Sequence, residues 1–522
     1  MIHIINITPA SLSGEHNQDS EPNIAVNPAN TNEIVATAFT RDPTGGPNAP
    51  IYLSTDGGAT WSLRSIIPGD GDFGTGDITT AFAGAGGTLY AGILNGTTFA
   101  MQILRTPDAT STATLSVLVQ RSSEDQPWVV ATTADTGSGP TDRVFVGNED
   151  GNQPSGRTAT VDASQDAATA PAPAGFAPIQ LEHRSTVTIP GLGRGKDGPP
   201  IRTAVHSSGV VYSAFQRWAS GTFPALFTDI VVVRDDSWGA SATPFSALVD
   251  SGDGVVGQRV STNQFIRFND QMGQERLGSD LAIAVDPTDP ATVFVAWASR
   301  VGGASGTDWT LHVSRSTDHG QSWSADVRTI TNAKNPALAI TADRHVGFAY
   351  QQFTGTTWDT KLEITTDAWS TASTPLVLHS ADASTPTPTF LPYIGDYIRM
   401  ISLGNDLYGV FCGNNTPNMA NFPSGITYQR AADWNTHTLL STDGVTPVAT
   451  SIDPFFFHWS ELRLPIIPRG IIPPGIRGRG PILPPITRGP IARQPPQPPQ
   501  PPEPPAPIQP TPETRAPTEL DL

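Results

Sequence analysis

Cysteine occurs once, at Cys412, so no disulfide can form within the chain and no cysteine-based zinc site can be assembled. The lone thiol follows Val410-Phe411 in a strand-like run and reads as a buried structural residue. Lysine is nearly absent: Lys196, Lys334 and Lys361 are the only three, and arginine carries the rest of the positive charge. Charged residues make up only 15% of the 522, and the balance is acidic, with a formal net charge of −18. That sign argues against a nucleic-acid-binding body and against adhesion to anionic membranes. No apolar run is long enough to span a membrane, and Met1-Ile2-His3-Ile4-Ile5-Asn6 lacks the basic start of a signal peptide. The expectation is a protein that stays in the cell, leaves by another route, or is a mature form. An extracellular or particle-associated setting is favoured.

What the chain has in plenty is turn chemistry. There are 49 glycines and 50 prolines, a mix that suits many short strands joined by turns. One phrase is written twice: Ser54-Thr55-Asp56-Gly57-Gly58-Ala59-Thr60-Trp61 and Ser316-Thr317-Asp318-His319-Gly320-Gln321-Ser322-Trp323 both fit S-x-D-x-G-x-x-W, each after a β-like run. The Asp side chain accepts backbone N–H bonds across a tight turn, Gly supplies backbone freedom, and Trp packs back as an anchor. The structural phrase residues are therefore Ser54, Asp56, Gly58, Trp61 and Ser316, Asp318, Gly320, Trp323. These two phrases resemble the Asp-box, or BNR repeat, of the sialidase-like β-propellers.

The phrases end longer units. Asn23-Ile24-Ala25-Val26-Asn27-Pro28 matches Ala282-Ile283-Ala284-Val285-Asp286-Pro287, and each leads through a turn into a second strand. Weaker copies fill the interval, with eroded boxes at Arg234-Asp235-Asp236-Ser237-Trp238, Thr365-Thr366-Asp367-Ala368-Trp369 and Ala432-Asp433-Trp434. Seven units start near residues 21, 77, 125, 197, 280, 335 and 396. The expected fold is all-β: a seven-bladed propeller over residues 1–460, with Ile2-His3-Ile4-Ile5-Asn6-Ile7 completing the last blade beside Ala449-Thr450-Ser451-Ile452. Two stacked β-sandwiches are the alternative. Residues 461–522 form a separate tail, first Pro/Ile/Gly/Arg-rich and then nearly pure Pro/Gln, expected to be extended polyproline II. It reads either as a semi-rigid spacer or, because isoleucine and arginine recur in it, as a docking segment for a protein partner.

Chemistry is sought where the repeats converge. A carboxylate or amide precedes each inner strand: Glu21, Asp77, Asp125, Asp197, Asp280, Asn335 and Asp396, with Pro22, Pro127, Pro199 and Pro336 close behind four of them. Either these cap their own turns, or they form an anionic rim that binds a cation or a basic ligand group. Arg41, Arg217 and Arg300 leave the second strands and suit carboxylate ligands; solvated loop arginines are the alternative. Asp70, Asp72 and Asp77 have calcium-like oxygen spacing, with a plain inter-blade turn as the other reading.

The resemblance covers residues 1–460, and Gly395-Asp396-Tyr397 looks like a segment of many bacterial members of that group. It implies an arginine triad for a substrate carboxylate, a Tyr nucleophile assisted by Glu, and an Asp acid/base. Arg41, Asp42 and Tyr397 are the candidates it supplies. The first arginine of that triad belongs where this chain reads Ser20-Glu21-Pro22-Asn23. A carboxylate there repels an anionic sugar. The expected function is therefore a non-enzymatic propeller that binds a glycan or protein ligand and is attached to a larger assembly by its tail. The alternative is an exo-sialidase-type glycoside hydrolase, or a diverged relative, acting on acidic sugars.

Overall fold

In the computed structural model the described residues are 1–40, 45–69, 74–84, 86–96, 98, 100–135, 137, 139–169, 175–268, 270–278, 280–306 and 308–461. Among them there is no α-helix, only three short 3-10 turns between strands. Among the described residues no helix is long and apolar enough to cross a membrane.

Seven antiparallel sheets follow one another along the chain. The first is built from Ser20–Val26, Ile34–Phe39, Asn48–Ser54 and Ser62–Pro68, in that spatial order. The inner strands of the next five are Ile78–Phe82, Glu124–Asp135, Asp197–Val205, Leu281–Asp286 and Ala333–Ile340, each opening a four-stranded sheet. The seventh runs Arg399–Leu403, Asp406–Asn414, Ile452–Trp459 and then the N-terminal strand Ile2–Asn6, with Thr427–Tyr428 added at its edge. Ile2 pairs with Trp459 and Asn6 with Phe455, so the two ends of the body are stitched into one sheet. The N-terminal strand thus joins the last sheet as expected, but it pairs with Phe455–Trp459, beyond the expected Ala449-Thr450-Ser451-Ile452.

Seven apolar cores alternate with these sheets. Ile24, Ala36 and Trp61 of the first sheet pack with Ile5, Tyr408 and Phe456 of the seventh. Val35 and Ile51 pack with Ile78 and Leu89 of the second, and the same relation repeats around to Ala339 and Leu362 of the sixth with Met400 and Phe411 of the seventh. Both faces of each sheet are therefore buried, which explains strands such as Ile34-Val35-Ala36, where successive side chains are all apolar. The order is cyclic. Stacked sandwiches would leave an outer face on each sheet, whereas among the described residues each of the seven sheets has an apolar core on both faces.

The two intact boxes match bond for bond. Ser54 Oγ donates to Asp56 Oδ1 at 2.8 Å and accepts from Gly58 N at 2.9 Å; Asp56 Oδ1 accepts from Thr60 N at 2.8 Å; Trp61 Nε1 donates to Gly58 O at 2.9 Å. Ser316, Asp318, Gly320, Ser322 and Trp323 repeat this at 2.8, 2.8, 2.9 and 3.2 Å. The two indoles differ. Trp61 is buried against Phe456, with ring centroids 5.4 Å apart, whereas Trp323 is only half-buried beside Leu248 and Tyr212. The eroded box at Thr365-Asp367 keeps the hydroxyl–carboxylate bond at 2.9 Å. Asp433 does not belong to the seventh sheet at all: Ala432–Asp433 pairs with Thr438–Leu440 in a separate three-stranded sheet.

Candidate functional site

Each inner strand begins at the end of its sheet away from the boxes, since Ser54 pairs with Ile34 while Ser20 pairs with Phe39. In four sheets that beginning is a bulge. The register slips between Ser20 and Asn23, Asp125 and Trp128, Gly198 and Ile201, and Lys334 and Ala337. A proline lacks the N–H the ladder needs, so the ladder skips it. The residue before it is left-handed in three cases: Glu21 at φ 52°, Gln126 at 44° and Asn335 at 54°. Such backbone costs about 1–3 kcal/mol per residue and persists only where its surroundings enforce it. This corrects the expected ring. Glu21 is equivalent to Gln126, Pro199 and Asn335, so Asp125 and Asp197 lie one and two residues out of that register.

The carboxylates nevertheless converge. Tyr397 donates its hydroxyl to Asp77 Oδ1 at 3.2 Å, and Glu21 shares a side-chain hydrogen bond with Asp77. Burial, then the charge of Asp125, push the Asp77 carboxyl up to about 7 against the pull of its bonds to Glu21 and Tyr397, and the carboxyl–carboxyl bond needs one proton between Asp77 and Glu21. Tyr397 is raised by burial and by Asp77 and Glu21. Asp396 goes the other way: burial is outweighed by Arg276 and then Lys334, which hold it below the usual carboxylate range. Arg276 Nη2 contacts Asp396 Oδ2, and Lys334 Nζ lies 3.7 Å from Oδ1. Asp280 accepts Asn335 N at 3.0 Å and is lifted to about 7 by burial against the pull of Lys334. Asp197 stands apart, its neighbours being Glu149, Glu182 and Lys196.

A short hairpin, Gln271–Met272 with Glu275–Arg276, supplies part of this group. Fully buried Glu275 takes Lys334 Nζ at 2.6 Å on one oxygen and Ile394 N at 2.6 Å on the other. Beneath the mouth the axis is filled. Arg399 reaches from the seventh sheet to Thr80 O at 3.2 Å and Val129 O at 3.0 Å, and Arg202 stacks over Trp128 at 4.1 Å. Burial lowers Arg399 to about 9 and Arg202 to about 10. Trp128, Asp77, Asp125 and Asp396 are partly exposed at this end of the sheets.

The expected arginine register does not assemble. Arg217 pairs with Asp229 at 3.6 Å, and Arg300 contacts Asp270 beside Phe265. Arg217 answers an acid in its own sheet, and Arg300 one in the loop that follows the last strand of the fourth sheet. Arg41 and Asp42 lie outside the described residues, as do Asp70 and Asp72 of the calcium-like loop. Among the described residues no group of three or more His, Cys, Asp or Glu is set to hold a metal ion.

Sequence reading missed Arg202, Arg276, Lys334 and Arg399. The signal for two was present: a lone arginine inside an apolar inner strand, Ile201-Arg202-Thr203 and Ile398-Arg399-Met400. Lys334, one of three lysines, stands directly before Asn335-Pro336. A further grouping joins Ser299, His312 and Asp326, with His312 3.2 Å from Ser299 Oγ and 2.8 Å from Asp326 Oδ2. Ser299 is buried and donates to Gln264 Oε1 at 2.9 Å, so this is an internal polar network.

No protein-family model matches the chain, and no curated protein matches it. Among solved structures it is similar to an ulvan lyase of a polysaccharide lyase family, with 9% identity over 76% of this chain and 92% of that one, at a TM-score of 0.47. It is also similar to an α-L-arabinanase of Penicillium chrysogenum complexed with arabinobiose, with 12% identity over 87% and 97% and a TM-score of 0.40. A third is the endosialidase of phage phi92, with 12% identity over 92% and 72% and a TM-score of 0.38. At such identities and TM-scores no residue role and no activity passes from these proteins to this chain.

Proposed function

We propose that the body is a seven-bladed propeller of the Asp-box type that binds a neutral or basic glycan at its carboxylate mouth. Seven sheets alternating with seven cores in cyclic order support the blade count. The observation that carries the ligand reading is the convergence of Glu21, Asp125, Asp396 and the Tyr397 hydroxyl on Asp77, beside partly exposed Trp128. Carboxylates and a phenol are the hydrogen-bonding partners of sugar hydroxyls, and an indole suits a pyranose face. The excess of carboxylates disfavours sialic acid. Isothermal titration with chito-oligosaccharides and with sialyllactose tests this: the former bind, and Asp77→Asn or Tyr397→Phe weakens them about tenfold or more. Preferential binding of sialyllactose, or an unaffected Asp77→Asn variant, overturns it.

A second reading is cleavage of such a glycan. It rests on the opposed tuning of two carboxyls in one cluster: Asp77 is lifted to about 7, where it exchanges a proton near neutral pH, while Asp396 is held below the usual carboxylate range, the division of labour of an acid and a base. Release of reducing ends from a neutral oligosaccharide, abolished by Asp77→Asn, is its test.

Residues 461–522 are proposed as the attachment device, from their composition alone: proline-rich chain loses little entropy on docking, and Arg469, Arg477, Arg479 and Arg488 add salt-sensitive pairing. Loss of co-purifying protein on deleting 464–522 supports this; retention of the same partner overturns it.

A further inference from the structure

The boxed turn of the sixth sheet keeps the bonds of the two intact boxes, yet two of its residues are exchanged. Thr365 Oγ donates to Asp367 Oδ1 at 2.9 Å, Trp369 N donates to Thr365 Oγ at 3.0 Å, and Thr371 N donates to Asp367 Oδ2 at 3.0 Å. Trp369 therefore holds the place of Gly58 and Gly320, and at φ 62° it keeps their left-handed backbone, which lies at 91° and 80°. A bulky residue in that region is a genuine outlier. Ala372 holds the place of the anchors Trp61 and Trp323, each seven residues after the hydroxyl that opens its box. Those anchors pack on the preceding sheet, Trp61 with Tyr408 and Phe456 and Trp323 with Tyr212 and Leu248. Alanine leaves the corresponding space open. A cleft of about 300 Å³ lies between this turn and the outer strand of the fifth sheet, Arg328–Thr331, lined by Asp326, Arg328, Thr329, Trp369, Ala372 and Ser373.

One buried acid fixes the lining. Glu363, with no exposed side-chain surface, accepts Arg328 Nε at 3.0 Å and Nη2 at 2.6 Å, Tyr350 Oη at 2.9 Å, Trp369 Nε1 at 2.8 Å and Ser373 Oγ at 2.8 Å. The intact anchors instead donate Nε1 to a carbonyl of their own turn. Phe294 and Phe348 meet the Trp369 ring edge to face, with centroids 6.3 and 5.8 Å away. Asp326 gives Oδ2 to His312 at 2.8 Å, and its Oδ1 accepts no hydrogen bond from any described residue. The Arg328 and Asp326 side chains are about one-third exposed.

We propose that this cleft is a second binding site, which takes one pyranose ring of a neutral glycan. Its lining carries one guanidinium and one carboxylate, so an anion meets Asp326 and a cation meets Arg328, whereas a neutral ligand meets neither repulsion. Sugar hydroxyls accept from Arg328 and donate to Asp326 and to Ser373, whose own proton is spent on Glu363. The C–H face of a pyranose suits the indole. The left-handed backbone of Trp369 is what brings that indole to the cleft, and strain of this kind persists at ligand clamps. The site lies at the boxed end of its sheets and uses none of the groups of the carboxylate mouth, so it does not rest on the reading of that mouth.

The test uses the full chain labelled with 5-fluorotryptophan, and the methyl glycosides of glucose, galactose and mannose as probes. The Trp369 fluorine line, identified by its loss in Trp369→Phe, is expected to shift with at least one glycoside, with half-saturation at about 1–10 mM. Ala372→Trp refills the cleft as the intact boxes do and is expected to weaken that glycoside about tenfold or more. Asp326→Asn, at an exposed position that leaves the core untouched, is expected to weaken it about fivefold. Asp77→Asn leaves it unchanged, which separates this cleft from the carboxylate mouth. No shift with any of the three glycosides, a shift with the zwitterion L-glutamine in their place, undiminished binding by folded Ala372→Trp or by Asp326→Asn, or loss with Asp77→Asn overturns the proposal.

Discussion

At the boxed end of the first and fifth sheets, Asp56 and Asp318 each receive a hydroxyl and a backbone N–H from within their own turn, and these bonds outweigh burial to hold both carboxyls below their ordinary range. At the mouth end of the same sheets, Glu21 is left-handed and hydrogen-bonded to another acid, and Asp280 is lifted to about 7. One end satisfies its charges locally and repeats itself; the other crowds charges from different sheets and never repeats. Strain and unmatched charge are retained where a protein uses them, and satisfied turns are retained where it needs stability.

The largest effects should come from the buried anchors of each end. Lys334→Met strips the cation from fully buried Glu275, and breaking such a pair costs about 3–5 kcal/mol. Burial pushes the Glu275 carboxyl up to about 7, against the pull of Lys334, so the loss measured by denaturant unfolding should be greater at pH 8 than at pH 5, where Glu275 takes a proton. Lys334→Met with Glu275→Gln should recover most of it. An equal loss at both pH values would sink this account. At the boxed end, Trp61→Ala should cost about 3–5 kcal/mol, as large-to-small core substitutions do. The half-buried Trp323 loses less apolar area, and Trp323→Ala should cost no more than about half as much. Equal losses would mean that the conserved turn bonds, and not packing, decide the role of the indole.

The two ends also respond oppositely to pH. Asp77, Glu275 and Asp280 are each raised to about 7, so between their unfolded values near about 4 and about 7 the folded state holds more protons. Their contribution is complete below about pH 4 and is lost as pH rises through about 7, each group at a slope of at most about 1.4 kcal/mol per pH unit. Asp56 and Asp318 have the reverse sign, contributing above the unfolded value and losing that contribution in acid. Asp77→Asn should flatten the fall between about pH 5 and about pH 8. A parent chain whose unfolding midpoint rises through that window contradicts the protonated mouth. The smallest effect belongs to the boxes: Asp56→Ala and Asp318→Ala should each cost about 0.5–1.5 kcal/mol, alike within error, because both turns have the same bonds.

The repeating units and most of the turns were legible because their causes are local. The unit starts read near 21, 197, 280 and 335 coincide with strands beginning at Ser20, Asp197, Leu281 and Ala333. The site was legible only in part. Glu21, Asp77, Asp125, Asp280 and Asp396 were found as a set, but Asp197 belongs elsewhere, and Arg217 and Arg300 answer local acids. A proline bulge shifts register by a residue or two, and alignment of the chain by proline alone cannot say which side chain the bulge carries to the axis.

By itself the sequence determined what short range dictates: short apolar strands, and boxed turns whose bonds close within a few residues. Tertiary structure alone decided which charges meet. Arg276 reaches Asp396 across 120 residues, Tyr397 reaches Asp77 across 320, and Arg399 reaches Thr80 across 319. Those meetings depend on closure of the ring of sheets, which brings every inner strand to one axis whatever its distance along the chain. Their energies come from burial of charge in a shared low-dielectric space, which no local pattern encodes.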